Sequence, residues 1–172
     1  MKNIVIIEKL DEYSEVYFYS VKVETEEYDE PELNEFEKFI EKFQNIEDET
    51  IKEEYNDILA IIKHIGKHSA DMKYFRAEGP AFALPPSART KIKEVTIQAY
   101  SKLRLYCILV SESNVILCNG GVKTTDRAQD CPNVKPHFEF ARKLANKINK
   151  ERSSLNISFK KMDIGEENAF YF

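Results

Sequence analysis

The sequence predicts an α+β fold: a twisted, mainly antiparallel sheet with two N-terminal helices and one C-terminal helix. Three observations predict it. Two apolar stripes at helical spacing follow each other between Leu33 and Ile65. Three β-type runs then succeed one another between Ile92 and Val122, separated by turn residues rather than helices. A last amphipathic stretch opens at Pro136. Strands, then helices, then strands again is the order of an α+β domain rather than of alternating βαβ units. The helices are expected mainly on one side of the sheet.

Each element has its own signal. Residues 3–7 (NIVII) are apolar throughout, as in a strand covered on both faces. Residues 15–23 (EVYFYSVKV) are β-branched and aromatic, with Val16 and Phe18 on one face and Tyr17, Tyr19, Val21 and Val23 on the other. DEYS between them suits a hairpin turn. Leu33, Phe36, Phe39, Ile40 and Phe43 fall at helical spacing, with Asp29 and Glu32 as a capping-box pair and Pro31 in the first turn. Ile51, Tyr55, Ile58, Ile62 and Ile65 form the second stripe, with Thr50 and Glu53 as its capping box and Gly66 as its stop. Residues 72–76 (MKYFR) read as a short strand, and the proline-bearing AEGPAFALPPSA after them reads as a loop. Residues 92–99, 103–110 and 115–122 read as three strands, the last two joined by a tight SESN connection. Phe138, Ala141, Leu144, Ala145 and Ile148 mark the final helix. Residues 1–152 are expected as one domain, with an acidic strand–helix part (1–66) and a basic sheet part (67–152). Residues 153–172 are a tail or an added edge strand, with NISF as a strand candidate and AFYF as an unusually aromatic end.

Composition narrows the function classes. The chain has 172 residues, 42% of them hydrophobic and 32% charged, so a core forms without staples. Its 3 cysteines, Cys107, Cys118 and Cys131, are an odd number without CxxC pairing; two lie in apolar strand runs. That pattern suggests buried thiols in a reduced, cytoplasmic setting, and neither a disulfide framework nor a zinc site. The apolar run near the N-terminus is too short for a secretory signal, and no run approaches membrane-spanning length. Charge is unevenly divided: residues 1–60 carry 6 lysines against 19 acids, whereas the remainder carries 19 Lys plus Arg against 11 acids. The basic half invites an anionic partner, although acidic helices are also simply soluble helices. No Walker loop, dinucleotide fingerprint or GxSxG elbow is present, so neither a cofactor nor a metal is expected.

The candidate chemistry sits on two strands. In LRLYCILV, alternation puts Leu103, Leu105, Cys107 and Leu109 on one face and Arg104, Tyr106, Ile108 and Val110 on the other. An arginine on an apolar strand needs an anion or solvent. It finds one either in an acid of the N-terminal helices or in a phosphodiester lying on a concave sheet face. The neighbouring VILCNGGVKTT strand carries Gly120 and Gly121, which mark a bulge, a hairpin turn or a close backbone approach, with a phosphate as one candidate for what approaches. Lys123, Thr124 and Thr125 follow, a point charge and two hydroxyls suited to phosphate oxygens. Lys73 and Arg76 add charge if their strand joins the sheet, and His137 is an acid–base candidate near neutral pH. His64 and His68 lie four apart, but Gly66 between them is expected to end the helix, so a shared metal site is disfavoured.

A helical pair, an Arg-x-Tyr strand, an apolar strand with glycine and a Val-Lys-Thr exit, and then a helix resembles the RelE/HigB-type bacterial toxins over roughly residues 73–150. The matching positions are Arg104, Tyr106, Gly120 or Gly121, Val122, Lys123 and Thr124; where the family carries a second basic residue, this chain has Thr124. The resemblance implies a RelE-like fold and a cytoplasmic, metal-independent endoribonuclease acting on mRNA, often in the ribosome. Its usual partner is a cognate helix-turn-helix antitoxin. In that reading the 2′-hydroxyl attacks the adjacent phosphate, Arg104 and Lys123 stabilise the transition state with Arg76 in support, and Tyr106 or His137 moves protons. This chain is longer and more acidic than such toxins. The alternatives are a non-catalytic interaction or regulatory module of the same fold, and a structural or dimerising domain.

Overall fold

The computed structural model describes residues 4–24, 33–151 and 169–171. The chain runs β1 (Ile4–Glu12), β2 (Tyr17–Glu24), α1 (Glu35–Phe43), α2 (Glu49–Lys67), β3 (Arg76–Glu78), β4 (Ala81–Leu84), β5 (Leu103–Ser111), β6 (Asn114–Val122), α3 (Lys135–Glu151) and β7 (Ala169–Tyr171). The strands form one seven-stranded sheet in the order β3-β4-β5-β6-β2-β1-β7. Every neighbouring pair is antiparallel except β2 with β6. The α+β architecture with a mainly antiparallel sheet is therefore as the sequence predicts. Among the described residues, no helix is long and apolar enough to cross a membrane.

The helices lie on both faces rather than mainly on one. Tyr17, Tyr19, Tyr106, Ile108 and Ile116 pack with Phe138, Ala141, Leu144 and Ile148 of α3. Phe18, Leu103, Leu105, Cys107 and Leu117 pack instead with Phe39 of α1 and Ile58, Ile61 and Ile65 of α2. The reason is in the strands. The middle of β5 and of β6 is apolar at odd and even positions alike, so each face needs its own cover.

Several boundaries move for identifiable reasons. The N-cap of α1 is Asn34, whose side chain accepts from the Glu37 amide while Glu37 reaches back to the Asn34 amide. The expected Asp29–Glu32 pair and Pro31 lie outside the described residues. In α2 the cap is Asp48, accepting from the Ile51 amide, rather than Thr50. Gly66 does not stop α2, which continues to Lys67. A Cβ at Gly66 would sit 2.8 Å from Tyr13 Cβ, and the Gly66 carbonyl accepts from the Glu15 and Val16 amides at 3.0 and 3.2 Å. The glycine lets the β1–β2 connection lie against the helix. MKYFR is a 3-10 turn (Met72–Tyr74) that delivers Arg76 to β3, and the expected loop contains β4. Pro80 stands in the β3–β4 turn and Pro85 just past β4, so neither blocks the ladder. Residues 92–99 form no strand; a single bridge joins Ile92 and Val95. NISF lies outside the described residues, and AFY pairs with β1 as an edge strand.

One buried carboxylate fixes where β5 begins. Glu54 of α2 is 4% exposed and accepts from the Lys102 amide at 3.1 Å and the Leu103 amide at 2.9 Å. Truncation leaves two amides without partners, each costing about 1–3 kcal/mol if it stays dry. Glu54→Ala is expected to lower stability by about 2–4 kcal/mol in urea unfolding, and Glu54→Gln, which keeps an acceptor, by less.

Candidate functional site

The site is built at the end of the β5–β6 pair remote from its tight turn. Leu103, Arg104 and Leu105 face Val122, Gly121 and Gly120, and the register shifts before Cys107 meets Leu117. Tyr106 thus lies opposite two β6 residues, Cys118 and Asn119, in the manner of a bulge. Asn119 Oδ1 caps the Gly120 amide at 2.8 Å.

The two glycines answer to protein backbone. A Cβ on Gly120 would run into the Arg104 carbonyl, and one on Gly121 would sit 2.5 Å from the Asn133 carbonyl oxygen. Both residues are buried. The expectation that Gly120 and Gly121 admit a phosphate is therefore corrected, because the chain's own main chain fills the space. Thr124 and Thr125 are also engaged elsewhere. Thr124 Oγ1 lies 3.5 Å from Cys131 Sγ, and Thr125 Oγ1 donates to the Arg127 carbonyl at 2.7 Å. Burial pushes the Cys131 thiol up, but hydrogen bonds from Thr124, Asn133 and Val134 outweigh it and bring it down to about 7.

Arg104 and Tyr106 share the α3 face, as alternation requires, yet that face is covered rather than open. Arg104 is 6% exposed, and its Nη1 donates to the carbonyls of Ser101 (2.7 Å) and Leu103 (3.0 Å). It makes no ion pair with the N-terminal helices. Burial and the neighbouring Arg76 guanidinium hold its pKa below the ordinary value. Tyr106 is fully buried, its ring edge-to-face with Phe138 at 5.9 Å. Burial, then the Glu78 carboxylate, raise its hydroxyl far above the usual tyrosine range. Among the described residues, Arg104 Nε and Tyr106 Oη have no hydrogen-bond partner. Tyr106 is thus corrected from proton carrier to core residue, since its hydroxyl does not meet solvent and burial disfavours its ionised form.

The charge that does face outward comes partly from residues the sequence reading passed over. The ladder places Arg76 opposite Ala83 and Glu78 opposite Ala81, so period two puts Arg76 and Glu78 on one face of β3. Arg142 of α3 stands over the Phe138 ring at 5.1 Å and against Gly79, where a Cβ would lie 3.0 Å from its Nε. Gly79 has φ +67°, a left-handed turn conformation that suits glycine. Burial raises the Glu78 carboxyl above its ordinary value, against the pull of four cations, Arg76, Lys123, Arg104 and Arg142. Among the described residues no ion pair within 4 Å involves any of the four. Four cations thus gather around one half-buried carboxyl.

His137 and Lys73 belong elsewhere. His137 Nε2 lies 3.5 Å from Lys42 Nζ, which itself donates to the Gly120 carbonyl at 2.6 Å. Burial, then Lys42, bring the imidazole down to about 4, so it is neutral near pH 7. The structure places this acid–base candidate beside Lys42 of α1. Its folded-state pKa lies below the usual 6.5, so the unfolded chain binds the proton more readily between about pH 6.5 and about 4. Stability is expected to fall as the pH drops through that window, and His137→Gln to flatten the slope in pH-dependent thermal unfolding. Lys73 Nζ sits over the Tyr74 ring at 5.1 Å and beside His64, on the α2 side of the sheet.

His64 and His68 do share a face, because α2 runs on past Gly66: their rings stack at 4.1 Å. Among the described residues, no three or more His, Cys, Asp or Glu side chains stand in a metal-binding arrangement. Comparison of the chain with protein-family models, with curated proteins and with solved structures finds no match.

Proposed function

We propose that the chain is an RNA-cleaving toxin of the RelE/HigB type, acting in the cytoplasm on mRNA, alone or on the ribosome, and held in check by a helix-turn-helix antitoxin. The observation that carries the reading is that Arg76 and Glu78 share one face of β3, that Arg142 stands against Gly79 beside them, and that Arg104 and Lys123 are near enough to act on the Glu78 carboxyl, with no ion pair within 4 Å to any of the four cations among the described residues. Unpaired arginines at a common point suit the charge that develops on a phosphorane.

Glu78 takes the part first given to Tyr106 or His137. It removes the proton of the 2′-hydroxyl; the 2′-oxygen attacks phosphorus, and the P–O5′ bond breaks, with the departing 5′-oxygen protonated by water. The products are a 2′,3′-cyclic phosphate and a 5′-hydroxyl. A base raised by burial is closer in pKa to the working pH and accepts the proton more effectively. As a base it acts ionised, so cleavage falls as the pH drops through its raised pKa, and Glu78→Gln removes that acid limb from the rate profile.

The burial of Arg104 and Tyr106 favours a second reading, a non-catalytic interaction module in which both residues serve packing. Expression in a bacterial host separates the two. The toxin reading expects growth arrest that Lys123→Ala relieves while the purified variant keeps its circular dichroism and melting temperature. Arrest that persists in the variant, or that never occurs, favours the module.

A further inference from the structure

A second charged feature lies on the opposite face of the sheet. The C-terminal half of α2 and the loop at residues 92–95 enclose a groove of about 480 Å³, lined chiefly by Lys63, His64, Lys67, His68, Lys93 and Glu94. Three ammonium groups face one carboxylate there, and among the described residues none of the four is ion-paired within 4 Å. Cations in the last turn of a helix answer its dipole, which accounts for Lys67. It does not account for Lys63, one turn earlier, or for Lys93, which a separate loop brings in. That loop is held in an unusual shape: the Val95 amide donates to the Ile92 carbonyl at 3.2 Å, buried Ile92 anchors it, and Glu94 adopts φ 70°.

The aromatic content of the groove is as notable as its charge. The His64 and His68 rings stack with an interplanar angle of 21°, and buried Tyr74 backs His64 edge-on at 5.1 Å from beneath the groove. His68 Nδ1 donates to the His64 carbonyl at 2.8 Å, which fixes the orientation of the ring. Flat rings beside lysines are the components of a site for single-stranded nucleic acid, in which bases stack and ammonium groups follow the phosphates. From the groove on the α2 face, the way to the cluster on the α3 face runs round the edge of the sheet, where β3 carries Arg76 and Glu78. Lys73 lies close enough to His64 to lower its pKa, and Arg76, three residues on, neighbours Arg104.

We propose that this groove is a second RNA-binding subsite, which holds a single-stranded segment by stacking and phosphate contacts while the strand continues past Lys73 and Arg76 to the cluster around Glu78. The groove's alignment with that cluster rests on the ribonuclease reading; its affinity for single-stranded RNA does not.

The test measures binding separately from cleavage. Fluorescence anisotropy of the full chain with a labelled single-stranded RNA of about ten nucleotides, at several salt concentrations, gives affinity and salt slope. Lys63→Ala combined with Lys67→Ala is expected to lower affinity on the order of tenfold and to flatten the log–log salt slope by about 0.7 for each lysine. His64→Ala combined with His68→Ala is expected to lower affinity on the order of tenfold, as loss of one stacked base does. Variants that bind as tightly as the unaltered chain overturn the subsite and leave the cluster standing. RNA held through the groove by a chain that cleaves nothing supports the subsite and removes the nuclease. A chain that binds polyglutamate through these residues but not RNA overturns the subsite.

Discussion

Gly120→Val abolishes the native fold or leaves it barely stable, with a loss of about 3 kcal/mol or more. The strand preference of valine works the other way but is worth under about 1 kcal/mol. The groups a side chain would strike decide the sign. They are the carbonyl oxygen and carbon of Arg104 and the Leu105 Cα at 3.0 Å, all main chain in a central strand. None of them rotates aside as a side-chain tip does. Relief requires β5 and β6 to separate, breaking the pairing that sets the register of the sheet. Urea unfolding and the near-ultraviolet spectrum read this directly. Gly66→Ala offers the contrast, since its nearest neighbour is the Tyr13 side chain, which is only partly buried and moves at lower cost. A smaller loss is expected there.

The second large effect is on chemistry. Lys123→Ala combined with Arg142→Ala is expected to cut RNA cleavage on the order of 10²- to 10³-fold, the scale seen when a preorganised donor to a developing oxyanion is removed. Stability should change by less than about 1 kcal/mol. Arg142 is exposed and contributes one cation–π contact to Phe138; Lys123 is half-buried and makes no ion pair among the described residues. Arg104→Ala is less informative. Its guanidinium is buried and ties down the Ser101 and Leu103 carbonyls, so its loss lowers stability and activity together. Single-turnover cleavage by variants of matched melting temperature therefore isolates the electrostatic contribution.

Most of the architecture was legible because long, strongly periodic segments carry their burial in their spacing. Phe39 and Phe43, Ile58 and Ile65, and the alternation of Leu103, Leu105 and Cys107 against Tyr106, Ile108 and Val110 all stand as the pattern implies. The placement of α3 was less legible, since periodicity tells which residues are covered and not which element covers them. β4 was hidden by Pro80 and Pro85, which exclude a strand only when they lie within it. Residues 92–99 show strand composition without a strand, because β5 already pairs with β4 and β6 on its two edges. Within the site, the pairing of Arg104 with the glycine end of β6 followed from strand adjacency. Glu78 and Arg142 did not, because one lies in a segment read as loop and the other on a helix from the far side of the chain. The Arg-x-Glu spacing of β3 was the one local signal for Glu78. Tyr106 shows the limit of face assignment: alternation gave its direction, but only packing against Phe138 shows that the direction leads inward.

The most direct measurement is end-group analysis of RNA incubated with the purified chain in the presence of a metal chelator, with and without ribosomes. The account expects fragments ending in 2′,3′-cyclic phosphate and 5′-hydroxyl, formed by the unaltered chain and suppressed by Lys123→Ala with Arg142→Ala and by Glu78→Gln. Intact RNA under both conditions, or cleavage that those substitutions leave at full rate, contradicts it.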